Sequence, residues 1–401
     1  MAVVAILGAL DTKGTEIRFL KERVEEHGHS ALVIDLGILN APAFKPDVPR
    51  HQVAAAAGQS IDALISGGDR GRAVAAMAAG IEKIVPELFA AGRLQGVLGI
   101  GGSAGTAMAT AAMRALPLGV PKVMISTVAG GNVSAFVGVK DVVMFPSIVD
   151  ISGLNRISRT VLSQAAAAVC GMIEVEVSKD QDRPVVAATM FGNTTPCVEL
   201  ARAEIEKAGY EVLVFHATGT GGLTLEGLVD AGFVAGVLDV TTTEWADELV
   251  GGVMSAGPRR LEAAARTGTP AVVAPGCLDM VNFWAPDTVP EKFQRRVLYQ
   301  HNPNVTLMRT TAEECAKLGG ILAEKLNASK GPAAVYLPLG GVSALSAPGK
   351  PFHSPAADEA LFSAIKNNLN PRIPVHEIDA NINDAEFAGA ITRGLLEMLA
   401  P

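Results

Sequence analysis

The chain has 401 residues, 49% of them hydrophobic and 18% charged, with 42 glycines and 23 prolines. That length supplies two domain cores, and Gly and Pro spread along it fit repeated strand-to-helix turns better than a low-complexity segment. A net charge of −8 argues against a broad nucleic-acid-binding face.

Cys170, Cys197, Cys277 and Cys315 form no C-x-x-C pair. No disulfide framework or structural zinc site is therefore expected, and reduced thiols suit a cytoplasmic protein. The apolar stretch Val3 to Gly8 has no basic leader and runs directly into Asp11 and Lys13, so it reads as a buried parallel strand, not a signal peptide. No apolar run is long enough to span a membrane. After the loop Ala9 to Thr15, Ile17, Leu20 and Val24 recur at helical spacing until Gly28, and Ala31 to Asp35 is a second strand. This β-α-β unit predicts a parallel sheet.

Gly96-Val97-Leu98-Gly99-Ile100 is another apolar run, delivered into Gly101-Gly102-Ser103-Ala104-Gly105-Thr106 and a helix over Ala107 to Leu116. Strand, small-residue loop and helix leave free N–H groups that attract phosphate or carboxylate. Gly101 to Gly105 also satisfies the G-x-S-x-G pattern of a hydrolase elbow, with Ser103 as nucleophile. Both readings need the same local structure. The loop Ser126 to Gly131, with Thr127 and Gly130, follows the next strand.

Gly153 to Met172 reads as an Ala-rich helix, and the charged stretch Glu174 to Pro184 as a linker. The expected domains are 1–180 and 181–401. A repeat relates them. Val185-Val186-Ala187 matches Val3-Val4-Ala5 at an offset of 182, and Gly236 to Val240 matches Gly96 to Ile100 at an offset of 140. The predicted fold is α/β, two Rossmann-like doubly wound parallel sheets arising by internal duplication. Val305 to Met308 and Ala333 to Leu337 are expected as added strands, Thr311 to Leu326 and Asp384 to Leu399 as closing helices.

The loops after the second set of strands are chemically different. They hold Asn193, Thr194 and Thr195, then His216 with Thr218, Gly219, Thr220 and Gly221, then Asp239 to Glu244, Asp279 and Asn282. His216 follows an apolar strand, so it is placed at a sheet edge as a general base, phosphate contact or hydrogen-bonded loop histidine. Asp239 and Glu244 read as paired carboxylates or as parts of a helix cap. His301 reads as a further substrate contact or as part of an ordinary His-Asn-Pro turn, and Arg309 as a carboxylate clamp on substrate or an exposed salt-bridging residue. Lys13 precedes Gly14 where a P-loop needs the reverse order, leaving it a phosphate neutraliser or a solvated lysine; Asp11 is a Mg²⁺ ligand or a helix cap.

Ala9 to Gly14, Gly101 to Thr106, Val149 to Asn155, Phe215 to Gly222 and His301 to Thr311 together resemble the ATP-binding domain family of the tomato tobamovirus-multiplication resistance protein and its uncharacterised bacterial relatives. The resemblance covers nearly the whole chain. It implies two Rossmann-like subdomains, dimerisation, and ATP bound by the N-terminal subdomain through Asp11, Thr12, Lys13 and the glycine loop. The expected function is an enzyme of small-molecule metabolism using Mg²⁺-ATP in a cleft between the domains. Its chemistry would be phosphoryl transfer or carboxylate activation, with His216, Asp239 and Glu244 catalytic. A nucleotide-binding regulator without turnover and a metal- or serine-dependent hydrolase are the alternatives. The expected partner is a small-molecule substrate, with no nucleic acid, no membrane and a homodimer as the working state.

Overall fold

The computed structural model describes residues 1–176 and 183–400. The chain divides into two compact units, Met1–Ser178 and Lys179–Pro401. The join expected near residue 180 lies outside the described residues.

In the first unit, β1 (Val3–Gly8), β2 (Ser30–Asp35), β3 (Gly96–Gly101), β4 (Lys122–Ser126) and β5 (Val143–Pro146) form one sheet in the order β2-β1-β3-β4-β5. Every pairing is parallel. Side chains alternate across it, as the pleat requires. Val4 and Ile6 pack with the helices Leu10–Glu26 and Arg156–Ile173, whereas Ala5 and Leu7 pack with Arg70–Ala90 and Ser103–Ala115. Both faces are therefore covered, and this explains strands that are apolar throughout instead of alternating.

Three boundaries differ from expectation. The first helix starts at Leu10, with Lys13 at φ −127° and ψ 21° kinking its first turn, so Asp11 to Lys13 are helical residues, not a loop. Asp11 does not cap a helix at Gly14; the residue before this helix is Ala9, which supplies no side-chain cap. The helix expected from Ala107 begins at Ser103. The one expected from Gly153 begins at Arg156, where Asn155 and Ser158 form a capping box.

The second unit has a six-stranded sheet of β6 (Val185–Met190), β7 (Glu211–His216), β8 (Gly236–Thr241), β9 (Ala271–Gly276), β13 (Ala333–Pro338) and β14 (Val375–Ile378), in the order β14-β13-β9-β8-β6-β7. These pairings too are parallel. The chain reading missed a small antiparallel sheet inserted after β9, in which β10 (Met280–Phe283) and β11 (Leu298–Asn302) flank β12 (Val305–Arg309). Val305 to Met308 thus belongs to this insert and not to the main sheet. Among the described residues no helix is long and apolar enough to cross a membrane, and all four cysteines are buried and free.

Candidate functional site

In the first unit, β1 and β3 are neighbours whose following helices leave toward opposite faces of the sheet. Such a switch point opens a crevice beyond the strand carboxyl ends. Here it is a cavity of about 380 Å³. Its floor is the glycine loop. A Cβ on Gly101 would lie 2.7 Å from the backbone of Gly105, and one on Gly99 would lie 2.9 Å from Ala109 Cβ. The helix Ser103–Ala115 approaches the strand this closely only because both positions lack a side chain. Gly102 precedes that helix and no side chain caps it. The first-turn amides of Ser103, Ala104 and Gly105 consequently point out with the positive end of the helix dipole.

The loop is held from below. Thr106 Oγ1 donates to the Gly102 carbonyl at 2.8 Å and lies 2.6 Å from Ser126 Oγ, which accepts the Val128 amide at 3.1 Å. Thr106 and Ser126 are fully buried, so these two expected cofactor contacts instead position the loop. Thr127 does line the cavity, as do Thr12, Lys13 and Ser103, whereas the exposed Gly130 stands away from it.

Two cations border the cavity. Lys13 Nζ donates to the Ile151 carbonyl, which fixes its stem across the first turn. Arg70, which the chain reading overlooked, opens the helix Arg70–Ala90 behind the N-cap Asp69 and has no ion-pair partner among the described residues. The sequence signal was available: Gly68-Asp69-Arg70 ahead of an Ala-rich stretch is a helix start. An arginine free of a carboxylate and uncapped helix amides are both groups that can donate to an anion.

The opposite wall is the loop after β2, presenting Leu36, Ile38 and Leu39. Two carboxylates pin it. Asp11 Oδ2 accepts the amides of Leu39 and Asn40 at 2.8 and 3.2 Å, and Asp35 Oδ1 accepts those of Leu10 and Gly37 at 3.0 and 2.8 Å. Asp11 Oδ1 and Asp35 Oδ2 are buried and unpartnered. Burial pushes the Asp35 carboxyl above its ordinary range, against the pull of its two amide donors. No histidine lines the cavity, and Ser103 is absent from the positive-φ residues Ile148, Leu261 and Cys277. A nucleophile elbow requires both a base and a strained serine.

The second unit repeats the switch point between β6 and β8, but side chains fill it. Arg260, 1% exposed, forms two hydrogen bonds to Asp239 at 2.5 and 2.7 Å and one to Glu244 at 2.7 Å, with Glu226 at 3.4 Å. Asp239 also accepts from Thr189 Oγ1 at 2.8 Å, and Glu244 accepts the amides of Gly219 and Gly222 at 2.7 and 3.0 Å. Asp239 and Glu244, expected to be catalytic, are thus 1% exposed and saturated by internal partners.

The expected substrate contacts divide the same way. Asn193 and Thr194 are buried, Thr194 against Thr241 Oγ1 at 2.8 Å; Thr195 and Thr218 donate to nearby carbonyls; Gly219 caps the helix Thr220–Asp230 and Gly221 lies in its first turn, both close-packed. Asp279 and Asn282 are fully buried. Ser343 donates to Asp279 at 2.7 Å, and burial pushes the Asp279 carboxyl up to about 6. Asn282 binds Asp247, whose carboxyl burial lifts to about 7. Arg309 is buried against Asp358 at 2.7 Å. His216, Thr220 and His301 remain exposed; the His216 ring meets Phe191 edge-on at 5.4 Å.

Models of an uncharacterised protein family match both units, the UPF0261 N-terminal domain over residues 2–178 and the UPF0261 C-terminal domain over residues 183–399. A UPF0261 protein of Clostridium tetani is 48% identical over 398 residues, covering 99% of this chain and 98% of that one. Another from Rhizobium meliloti is 45% identical over 403 residues, covering 100% of each. The ToMV resistance protein Tm-1(GCR237) of Solanum lycopersicum is 42% identical over 418 residues, which are 98% of this chain and 55% of the plant protein. Among solved structures, the UDP-GlcNAc 2-epimerase from Methanocaldococcus jannaschii aligns over 99% of this chain and 100% of its own at 11% identity and a TM-score of 0.24, too weak a likeness to carry a function.

Proposed function

This chain belongs to the UPF0261 family, and from that premise we propose that its first unit binds Mg²⁺-ATP in the cavity between β1 and β3. The single observation that carries the reading is the convergence of three uncapped helix amides and the unpaired Arg70 on one switch-point cavity. The phosphates lie on the first turn at Ser103 to Gly105, with Arg70 and Lys13 supplying positive charge. Leu36, Ile38 and Leu39 offer the apolar wall that a purine ring packs against.

The residues also fit a divalent cation. Asp150 lines the same cavity with an exposed side chain, and Asp11, whose Oδ1 is buried without a partner, is also among its lining residues. When bound, the metal offsets phosphate charge; Asp150 and Asp11 would hold it. On this reading the protein is a cytoplasmic homodimer that uses ATP in small-molecule metabolism. The shared strand order, with β1, β2 and β3 answering to β6, β7 and β8, supports an internal duplication.

A second reading, a nucleotide-binding regulator without turnover, draws support from Arg260, which occupies two of the three groups expected to be catalytic. Calorimetric titration with Mg²⁺-ATP tests the nucleotide reading. Gly102 sits at φ −80°, and a Cβ there meets only Thr127 Oγ1 at 3.6 Å, so Gly102→Trp folds while its indole obstructs the cradle. Saturable binding by the native chain that is lost in the variant is the expected result. No binding by the native chain overturns it. Turnover in a subsequent metabolite screen then separates enzyme from regulator.

A further inference from the structure

The carboxyl end of β13 leads into a long ordered loop, Leu339 to Ser354, before the helix Pro355–Asn368. Polar side chains anchor this loop at three points. Asn381 Nδ2 donates to the carbonyls of Gly340, Gly341 and Ser343 at 3.2, 3.2 and 3.1 Å. Ser343 Oγ donates to Asp279 while accepting the amides of Leu345 and Ser346 at 2.9 and 3.1 Å. Arg309 donates to the Phe352 carbonyl at 2.8 Å and to Asp358 Oδ1 at 2.7 Å.

What this scaffold encloses is a cavity of about 290 Å³. Its polar groups are acceptors. Asp358, 7% exposed, gives one oxygen to Arg309, and its Oδ2 has no partner among the described residues. Glu359 adds an exposed carboxylate, steadied by Ser363 Oγ at 2.5 Å. His353 Nδ1 sits 3.0 Å from the Ser346 carbonyl and donates to it, which fixes the ring at the edge of the space. Leu339, Pro348, Pro355 and Phe362 supply apolar walls, and no lysine or arginine lines the space. Arg309 is bonded to Asp358, and Glu359 adds a second carboxylate that no arginine or lysine lining the space balances.

The geometry points to a second ligand site in this protein, a pocket at the end of β13 that takes a small organic ammonium ion with a short aliphatic body. The ammonium donates to Asp358 Oδ2 and Glu359, and the aliphatic part lies against Phe362 and Pro348. An anion finds no donor side chain there with a positive charge to spare. The site stands apart from the nucleotide reading, since every residue in it belongs to the second unit.

Three probes of similar shape test it on the full-length protein by calorimetry at pH 7.5: n-butylammonium, n-butanol and n-butyrate. Saturable binding of n-butylammonium alone is expected, weakened at least tenfold by Glu359→Gln. Leu339 is half-exposed at the rim, so Leu339→Lys folds normally and its own ammonium competes for the pocket, again weakening the probe at least tenfold. Thermal melting and Mg²⁺-ATP titration of both variants should match the native chain. The site is overturned by an absence of saturable n-butylammonium binding, by n-butyrate or n-butanol binding as tightly, or by either variant binding n-butylammonium like the native protein.

Discussion

The two units set the same crevice between their first and third strands, yet one is a cavity and the other is solid. Around β1 and β3 the loop residues are Gly101, Gly102, Ser103, Ala104 and Gly105, whose side chains cannot occupy the space they enclose. Around β6 and β8 the positions answering to Gly101 through Gly105 carry Thr241, Thr242, Thr243, Glu244 and Trp245, with Asp239 at the place of Gly99, all buried. Arg260 closes that second crevice with two carboxylates, and Gly222 is small because a Cβ there would collide with Glu244. Strand order therefore decides where a ligand can bind, and side-chain volume and charge decide whether one does. In the second unit the open space has moved along the sheet to the end of β13.

The largest effect should come from emptying the filled crevice. Arg260→Met leaves Asp239, Glu244 and Glu226 buried without their cation, which costs about 3–5 kcal/mol; urea unfolding should show the loss in the second unit's transition. A substitution that left this transition unmoved would show that the cluster is not what fills the crevice. Next in size is Gly101→Ala. Its methyl group would meet the backbone of Gly105, so roughly 1–3 kcal/mol of first-unit stability should be lost together with nucleotide binding. Gly102→Ala, with no neighbour closer than 3.6 Å, should change neither.

Arg70→Ala separates binding from folding. An exposed helix-start arginine without a partner should leave stability within about 0.5 kcal/mol while weakening Mg²⁺-ATP roughly tenfold, as expected for one lost charge-assisted contact. Equal affinity in the variant would remove Arg70 from the wall. The last effect is a pH slope. Burial lifts Asp247 to about 7 and Asp279 to about 6, both above their unfolded values, so the folded state binds more protons than the unfolded state between those limits. Stability contributed by these groups is present at low pH and falls as pH rises from about 4 to about 7. Asp247→Asn should flatten that slope in the second unit's denaturation midpoint and leave the first unit's unchanged.

Much of the frame was legible because it rests on local pattern. The apolar runs at Val3, Gly96, Val185 and Gly236 are strands covered on both faces, and the glycine loop announces a close strand-to-helix turn. Harder to read was the first turn of the two helices that follow β1 and β3. Asp11 to Lys13 and Ser103 to Thr106 look like loop sequence because small and polar residues disfavour a helix interior, yet tertiary packing extends the helices through them. Arg70 went unseen because its importance comes from a cavity built by distant strands.

By itself the sequence determined two parallel α/β units, their order along the chain and the glycine loop, since hydrophobic periodicity and glycine placement act over a few residues. Only the tertiary structure decided which polar groups are free. Asp239, Glu244, Asp279 and Arg309 have the chemistry of a site, but each has an internal partner many residues away, at Arg260, Ser343 or Asp358. Whether a carboxylate or guanidinium faces a ligand depends on whether folding has already given it a counter-charge. That pairing is set by long-range contacts that local spacing along the chain does not encode.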